Sequence, residues 1–176
     1  FYLTRANGIE LWIAGTATAQ AKAATSATIN GLDECEWLED SSALLCSFVP
    51  DGRGPAPAPP AVPTGPKIQE NLGKAAPSAT FQDLLTSAYD EALYDYYFTS
   101  QLALVTPAGA RTVVGKPGVF GSVSMSPDAQ YILVPRTKRP YSRLVGAGGF
   151  PKDIEVWNRR GEVIRKVGEQ PSAEGT

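Results

Sequence analysis

The stretch Ser122–Val134 reads Ser-Val-Ser-Met-Ser-Pro-Asp-Ala-Gln-Tyr-Ile-Leu-Val and places a turn between two short apolar runs. The runs Val123–Met125 and Tyr131–Val134 suit β-strands, and Ser126–Ala129 lies between them. Proline presets φ for the first turn position, and aspartate can cap the turn with its carboxylate. The stretch therefore predicts a β-hairpin.

Weaker copies of this unit recur along the chain. Residues 35–38 and 43–49 flank an acidic turn at 39–42, which repeats the layout of strand, turn and apolar strand. Each such hairpin is followed by a second one, and two hairpins in succession make the four-stranded meander of a β-propeller blade. The sequence therefore predicts an all-β fold, a partial β-propeller of antiparallel four-stranded blades.

The repeat divides the chain into blade-sized units. We expect a half-blade at 1–30, a blade at 31–118 that carries an insertion at 50–100, a blade at 119–170 and a tail at 171–176. The insertion begins with a Pro-rich arm at 50–66, which cannot form a sheet. This number of blades is too small to close a ring. We therefore expect that neighbouring blades are missing and that the chain is cut from a longer protein.

The insertion also carries the strongest helical periodicity in the chain. Apolar residues spaced by three and four predict a helix from Phe81 to about Ala88, with Thr80 at its N-cap. Aromatic and β-forming residues then predict extended backbone from Tyr94 to Val105. The acidic residues Asp90, Glu91 and Asp95 are expected to form a solvated face.

Composition excludes several classes of function. The 176 residues carry a net charge of −2, which gives no electrostatic case for nucleic-acid binding. No run is long enough to span a membrane, and no targeting segment indicates a compartment. The chain has no histidine, so it cannot hold a Ser-His-Asp triad or a His-ligated zinc, and we expect no cofactor or metal.

The chain has two cysteines, Cys35 and Cys46. They flank a predicted hairpin turn and could face each other on neighbouring strands. Because cysteine is among the most frequently buried residues, we expect two buried thiols rather than a disulfide.

Several segments of the insertion and of the last blade resemble the prolyl oligopeptidase family of serine peptidases, and in particular its glutamyl endopeptidase-like branch. The segments that carry this resemblance are Pro63–Asn71, Gly73-Lys74, Phe81–Leu85, Tyr96-Tyr97, Thr99–Leu102, Arg139–Ser142, Phe150–Lys152 and Glu155–Trp157.

The resemblance implies a role for the chain as part of a propeller. The family pairs its propeller with an α/β-hydrolase domain, which supplies a G-x-S-x-G nucleophile elbow with its Asp and His. The glycines of Gly118–Ser122 do not have the elbow spacing, so we expect this chain to be inactive alone. Its implied partners are that hydrolase domain and peptide substrates, whose access the propeller gates. The alternative is a non-catalytic propeller that serves as a protein-interaction module.

The glutamyl endopeptidase-like branch further implies cleavage after acidic residues. A guanidinium can receive a carboxylate through charge-assisted, bidentate hydrogen bonds. Arg139 and Arg143, together with Tyr141, are therefore the candidate substrate-binding residues. The residues alone favour the alternative, in which both arginines are solvated loop charges.

Overall fold

A computed structural model of the chain describes residues 1–26, 28–32, 34–61 and 84–174. Within these residues the chain forms eleven strands and one α-helix. The elements are β1 (Tyr2–Arg5), β2 (Gly8–Ala14), β3 (Ala21–Ala23), β4 (Glu36–Trp37), β5 (Leu44–Phe48), α1 (Ala88–Phe98), β6 (Thr99–Val105), β7 (Arg111–Val119), β8 (Ser124–Met125), β9 (Tyr131–Thr137), β10 (Lys152–Asn158) and β11 (Val163–Gln170). A 3₁₀ turn lies at Ala147–Gly149.

The strands form three antiparallel sheets in which each strand pairs with its neighbour in the sequence. The first sheet has the order β1-β2-β3, the second β4-β5-β6-β7 and the third β8-β9-β10-β11. The connection between β5 and β6 carries α1. Two consecutive four-stranded meanders confirm the predicted all-β class and have the layout expected of propeller blades. Among the described residues, no helix has the length and apolar character needed to cross a membrane.

The turns that open the second and third sheets have the same backbone geometry. In one, the amide of Leu38 donates to the carbonyl of Ala43 over 2.9 Å; in the other, the amide of Ser126 donates to the carbonyl of Tyr131 over 2.8 Å. The fourth residue of each turn has a positive φ, 57° at Ser41 and 54° at Ala129. The repeat predicted from the two acidic turns is therefore present in the backbone.

The central strands β5 and β6 of the second sheet are buried on both faces. Side chains alternate between the two faces of a strand, so each strand contributes to two clusters. One face packs on the first sheet in a core cluster of Leu11, Ala24, Ile29, Leu44, Cys46, Phe48, Ala103 and Val105. The other face packs on the third sheet in a cluster that includes Leu38, Leu45, Leu102, Leu104, Val114, Ile132, Val134 and Trp157. The three sheets are thus stacked in chain order.

A triad of arginine, glutamate and tryptophan recurs in the first and third sheets. In the first, Glu10 accepts from Arg5 over 3.0 Å and from the indole N–H of Trp12 over 2.8 Å. In the third, the same three places are taken by a second set of residues. There Glu155 accepts from Arg136 over 3.2 Å and from the indole N–H of Trp157 over 2.8 Å.

The register of the two triads is identical. In each sheet the arginine is paired with the residue that lies two positions before the glutamate. Arg5 is paired with Gly8, and Arg136 is paired with Asp153. In the second sheet the equivalent places hold Phe48, Ala103 and Val105, which are fully buried. In the second and third sheets these positions lie on the face that packs against the preceding sheet.

The helix lies further along the chain than its periodicity predicts. The predicted start at Thr80 and Phe81 lies outside the described residues, Leu84 to Ser87 are not helical, and α1 begins at Ala88. The prediction of extended backbone from Tyr94 is wrong as far as Phe98, because Tyr94 packs against Tyr141 and Phe150 in the loop between β9 and β10. From Thr99 onward the backbone is extended as predicted.

The two cysteines form a disulfide, so the expectation of two free thiols is wrong. Cys35 directly precedes β4 and Cys46 lies in β5, and their Cα atoms are 4.4 Å apart. Glu36 pairs with Leu45, so the next pair outward in this antiparallel register is the two cysteines. The hairpin brings both sulfurs to one side of the strand pair, which is the alternative that the sequence left open.

Candidate functional site

The candidate site is an ionic cluster between α1 and the loop that follows β9. Glu91 accepts hydrogen bonds from Arg139 and Arg143, each at 2.8 Å. Asp95 accepts from Arg139 and from the hydroxyl of Tyr141. We call these five residues the clasp, because they connect α1, which belongs to the second sheet, to the loop between β9 and β10 of the third sheet.

The helical spacing places both carboxylates of the clasp on one face of α1. Glu91 and Asp95 are four residues apart and therefore lie one above the other. The helix starts at a capping box, in which Ser87 and Asp90 bond to each other's backbone amides. This cap fixes the first turn, and with it the position of Glu91.

An aromatic cluster lies beneath the clasp and fixes the position of Tyr141. The Tyr141 ring stacks on Phe150 with centroids 5.1 Å apart, and Tyr94 meets both rings edge-on at 4.9 and 5.4 Å. The guanidinium of Arg139 lies 4.7 Å from the Tyr141 centroid on its other side. The basic loop is therefore held to α1 by apolar packing as well as by charge.

The contacts of the clasp shift the pKa values of several of its groups. Hydrogen bonds from Arg143 and then from Arg139 lower the pKa of Glu91. Burial raises the pKa of Tyr141, and the hydrogen bond to Asp95 raises it further. Burial also raises the pKa of Tyr94 to about 12. At neutral pH Glu91 is therefore ionised and the phenol of Tyr141 is neutral.

An open cavity of about 720 Å³ lies beside the clasp, between α1 and the 3₁₀ turn. Its walls are mostly apolar and aromatic, and they include Leu93, Tyr94, Tyr97, Phe98 and Phe150. Such a wall can contact apolar side chains. In the described part of the chain, no group of His, Cys, Asp and Glu has an arrangement that could hold a metal ion.

The structure brings Arg139, Tyr141 and Arg143 together, as the candidate substrate-binding set requires. Their polar groups, however, already bind carboxylates of the same chain, and each arginine side chain is about half exposed, 50% for Arg139 and 51% for Arg143. Binding of a substrate by these residues stays a prediction. The expectation that the acidic cluster is a solvated face is wrong for Glu91, whose side chain is 16% exposed.

Sequence reasoning missed the two carboxylates that complete the clasp. The available signal was the spacing of four residues between Glu91 and Asp95, which places two acids on one helical face. An equally compact basic segment follows at Arg139 and Arg143. Charge complementarity between two segments about 50 residues apart predicts contact only when the fold is known to bring them together.

These elements define a class of protein, an all-β protein of stacked antiparallel meanders with a helix fastened to the loop of the third sheet. Two known proteins are similar to the chain, and both bear the name probable glutamyl endopeptidase, chloroplastic. The chain is 40% identical over 171 residues to the one from Oryza sativa subsp. japonica and 40% identical over 168 residues to the one from Arabidopsis thaliana.

The matches cover 94% and 93% of this chain, but the chain spans only 18% of the length of each relative. No protein-family model matches the chain. The resemblance to glutamyl endopeptidases is therefore confirmed at the level of sequence. Two of the segments that first indicated it, residues 63–71 and 73–74, lie outside the described residues, as do residues 81–83 of a third.

Proposed function

We propose that this chain is a run of blades from the β-propeller of a serine peptidase in the prolyl oligopeptidase family, of the glutamyl endopeptidase-like branch. In this proposal the propeller adjoins an α/β-hydrolase domain of the same protein and gates the access of peptide substrates to it. The observation that carries the proposal is the 40% identity to probable glutamyl endopeptidases over almost the whole chain.

The stacking of the sheets supports a propeller. Each sheet turns the same face toward its predecessor: Ile132 and Val134 of the third sheet pack on the second, and the equivalent Leu44 and Cys46 pack on the first. In propellers and solenoids, successive units likewise pack on one another through the same faces.

Neither end of the stack has a neighbouring sheet among the described residues. Trp157 is 4% exposed beneath the second sheet, whereas the equivalent Trp12 is only partly buried. On the opposite face of the third sheet, Tyr131 is 45% exposed and Leu133 is 40% exposed. The position equivalent to Leu133 is Leu45, which is 2% exposed between the second and third sheets. These faces fit further blades.

A second function deserves a test because the described residues contain no catalytic constellation. A propeller without a hydrolase domain would act as a protein-interaction module. The two proposals predict different sequence motifs elsewhere in the polypeptide that contains these blades. The peptidase proposal requires a G-x-S-x-G elbow with an Asp and a His elsewhere in it, and the interaction proposal requires none.

The test is an assay of the full-length polypeptide with two substrates that share one cleavage sequence. One is a short peptide with a central Glu, and the other is a stably folded protein that displays the same sequence in a loop. We expect cleavage of the peptide after Glu and a value of kcat/KM at least about tenfold lower for the folded protein.

The matched control replaces the elbow serine by alanine, which should abolish cleavage of both substrates. Equal cleavage of the peptide and the folded protein would contradict gating. Absence of both the elbow and any cleavage would favour the interaction module.

A further inference from the structure

The disulfide of Cys35 and Cys46 lies in the contact between the first and second sheets. Cys46 is 1% exposed and belongs to the core cluster that the two sheets share. Cys35 packs against that cluster but is only partly buried. Its amide also donates a 2.6 Å hydrogen bond to the hydroxyl of Tyr2 in β1. Cys35 is therefore the more accessible of the two cysteines, and Cys46 lies in the core.

The strand that directly follows Cys35, β4, has few backbone partners. β4 contains two residues, lies at the edge of its sheet and pairs through Glu36 with Leu45 and through Trp37 with Leu44. The Trp37 side chain is 45% exposed. Short edge strands with little buried surface open at low free-energy cost. Besides the covalent link, β4 is held by the buried Leu38 that follows it and by a 3.4 Å hydrogen bond from the Met125 amide to Glu36. Only the covalent link responds to a dithiol.

We propose that this disulfide is a redox-sensitive clip, at which a dithiol reductant exchanges with the Cys35–Cys46 bond and releases β4 from the contact between the two sheets. The predicted ligand class is a small or protein-borne dithiol. Its site of attack is the Sγ atom of Cys35, because attack requires access and the Cys46 sulfur is buried.

The exchange balances as two thiol–disulfide steps. A thiolate of the dithiol attacks Cys35 Sγ, forms a mixed disulfide and expels the Cys46 thiolate, which takes up a proton. The second thiol of the reductant, as a thiolate, then attacks its own sulfur in the mixed disulfide and expels Cys35. The dithiol is oxidised to a disulfide by two electrons, and the protein gains two thiols.

Reduction removes the constraint that closes the short segment between Cys35 and Cys46. A cross-link across a loop of this size stabilises the closed state chiefly by restricting the open one. In the reduced protein β4 keeps two pairs of backbone partners, so it opens more often. The amide of Cys35 then separates from Tyr2, which loosens the edge of the contact between the sheets.

The test uses the full-length polypeptide equilibrated under native conditions in dithiothreitol buffers from oxidised to reduced. After an acid quench and alkylation, mass spectrometry reads the tryptic peptide of residues 23–53, which contains both cysteines and no internal Lys or Arg. We expect no alkylation in the oxidising buffer and two alkylated cysteines in the reducing buffer.

A second readout is limited digestion with a protease that cuts after Glu and contains no cysteine. We expect cleavage after Glu36 to be on the order of tenfold faster in the reduced protein. Cleavage after Glu162, in the exposed turn before β11, serves as the internal control and should not change. The variant C35S keeps Cys46 in the core and should be cleaved rapidly after Glu36 in both buffers.

Three outcomes would overturn the proposal. Both cysteines could be alkylated in the oxidising buffer, the bond could resist dithiol until the protein unfolds, or cleavage after Glu36 could be equal in the two buffers. If C35S does not fold, the comparison of the wild-type protein between buffers decides alone.

Discussion

At the scale of the residue, Glu91 is the side chain on which the clasp depends. It accepts from two arginines, while Asp95 accepts from one arginine and from Tyr141. Exposed ion pairs contribute little individually, and they contribute more when several charges form one network. The clasp is such a network, and its arginines lie beside a packed aromatic cluster that limits their freedom.

The lowered pKa of Glu91 makes the contribution of the clasp dependent on pH. A carboxylate whose pKa is lower in the folded protein than in the unfolded chain stabilises the fold at neutral pH. The contribution is lost as the pH falls below the ordinary value of about 4.3 and through the lowered folded value. E91Q should therefore melt about 1–3 °C below the wild-type protein at pH 7, and this gap should narrow progressively below pH 4.3.

The measurement is thermal unfolding of the full-length polypeptide from pH 7 down into the acid range, with E34Q as the control. Glu34 is exposed and forms no ion pair with any described residue, so E34Q should melt as the wild-type protein does throughout. A gap for E91Q that stays constant with pH would show that packing of the new amide, rather than lost charge, explains the change.

At the scale of the element, the start of α1 shows where sequence patterns become ambiguous. Thr80 with Asp83 and Ser87 with Asp90 have the same N-cap spacing, and the apolar stripe continues past both. The second start is the one that the structure contains. The aromatic residues that indicated a strand at Tyr94 are helical because Tyr94 packs on Tyr141 and Phe150, and this tertiary contact overrides the local preference.

The cap makes a prediction that distinguishes the observed helix start from the one inferred from periodicity. S87A removes the hydroxyl that accepts from the Asp90 amide, a change that costs about 1 kcal/mol in typical helices. Hydrogen exchange of residues 88–98 in the full-length polypeptide should accelerate about fivefold in its first turns. S124A, at an exposed position in β8, is the control, and unchanged exchange in S87A would contradict the cap.

Hairpins were predictable from the sequence because their signals are local. The Ser-Pro-Asp-Ala turn at 126–129 and the acidic turn at 39–42 each specify their own geometry. The disulfide and the clasp depend on register and on contacts between distant segments. The sequence favoured free thiols and a solvated acidic face, and both expectations were wrong because local sequence does not specify these distant contacts.

At the scale of the whole molecule, the unpaired faces limit what the chain can do alone. Propeller blades cover each other's faces, so a stack of three sheets leaves one uncovered face at each end. On the third sheet this face includes Tyr131, Leu133 and Val156, which line a shallow depression of about 250 Å³. Exposed apolar faces of this kind promote association, so we expect the 176-residue chain to aggregate when it is produced by itself.

The same face yields a test in which one substitution has opposite effects in two contexts. If a further blade of the same polypeptide covers Leu133, then L133K buries a charge in the full-length protein and should lower its melting temperature by several degrees, since burying an unpaired charge is costly. In the isolated 176-residue chain, L133K places a charge on an exposed apolar face and should raise the soluble fraction. I164K, on the edge strand β11 where Ile164 is 56% exposed, is the matched control and should leave the full-length melting temperature unchanged. Equal behaviour of L133K and I164K in the full-length protein would mean that no blade covers this face, and the propeller proposal would fail with it.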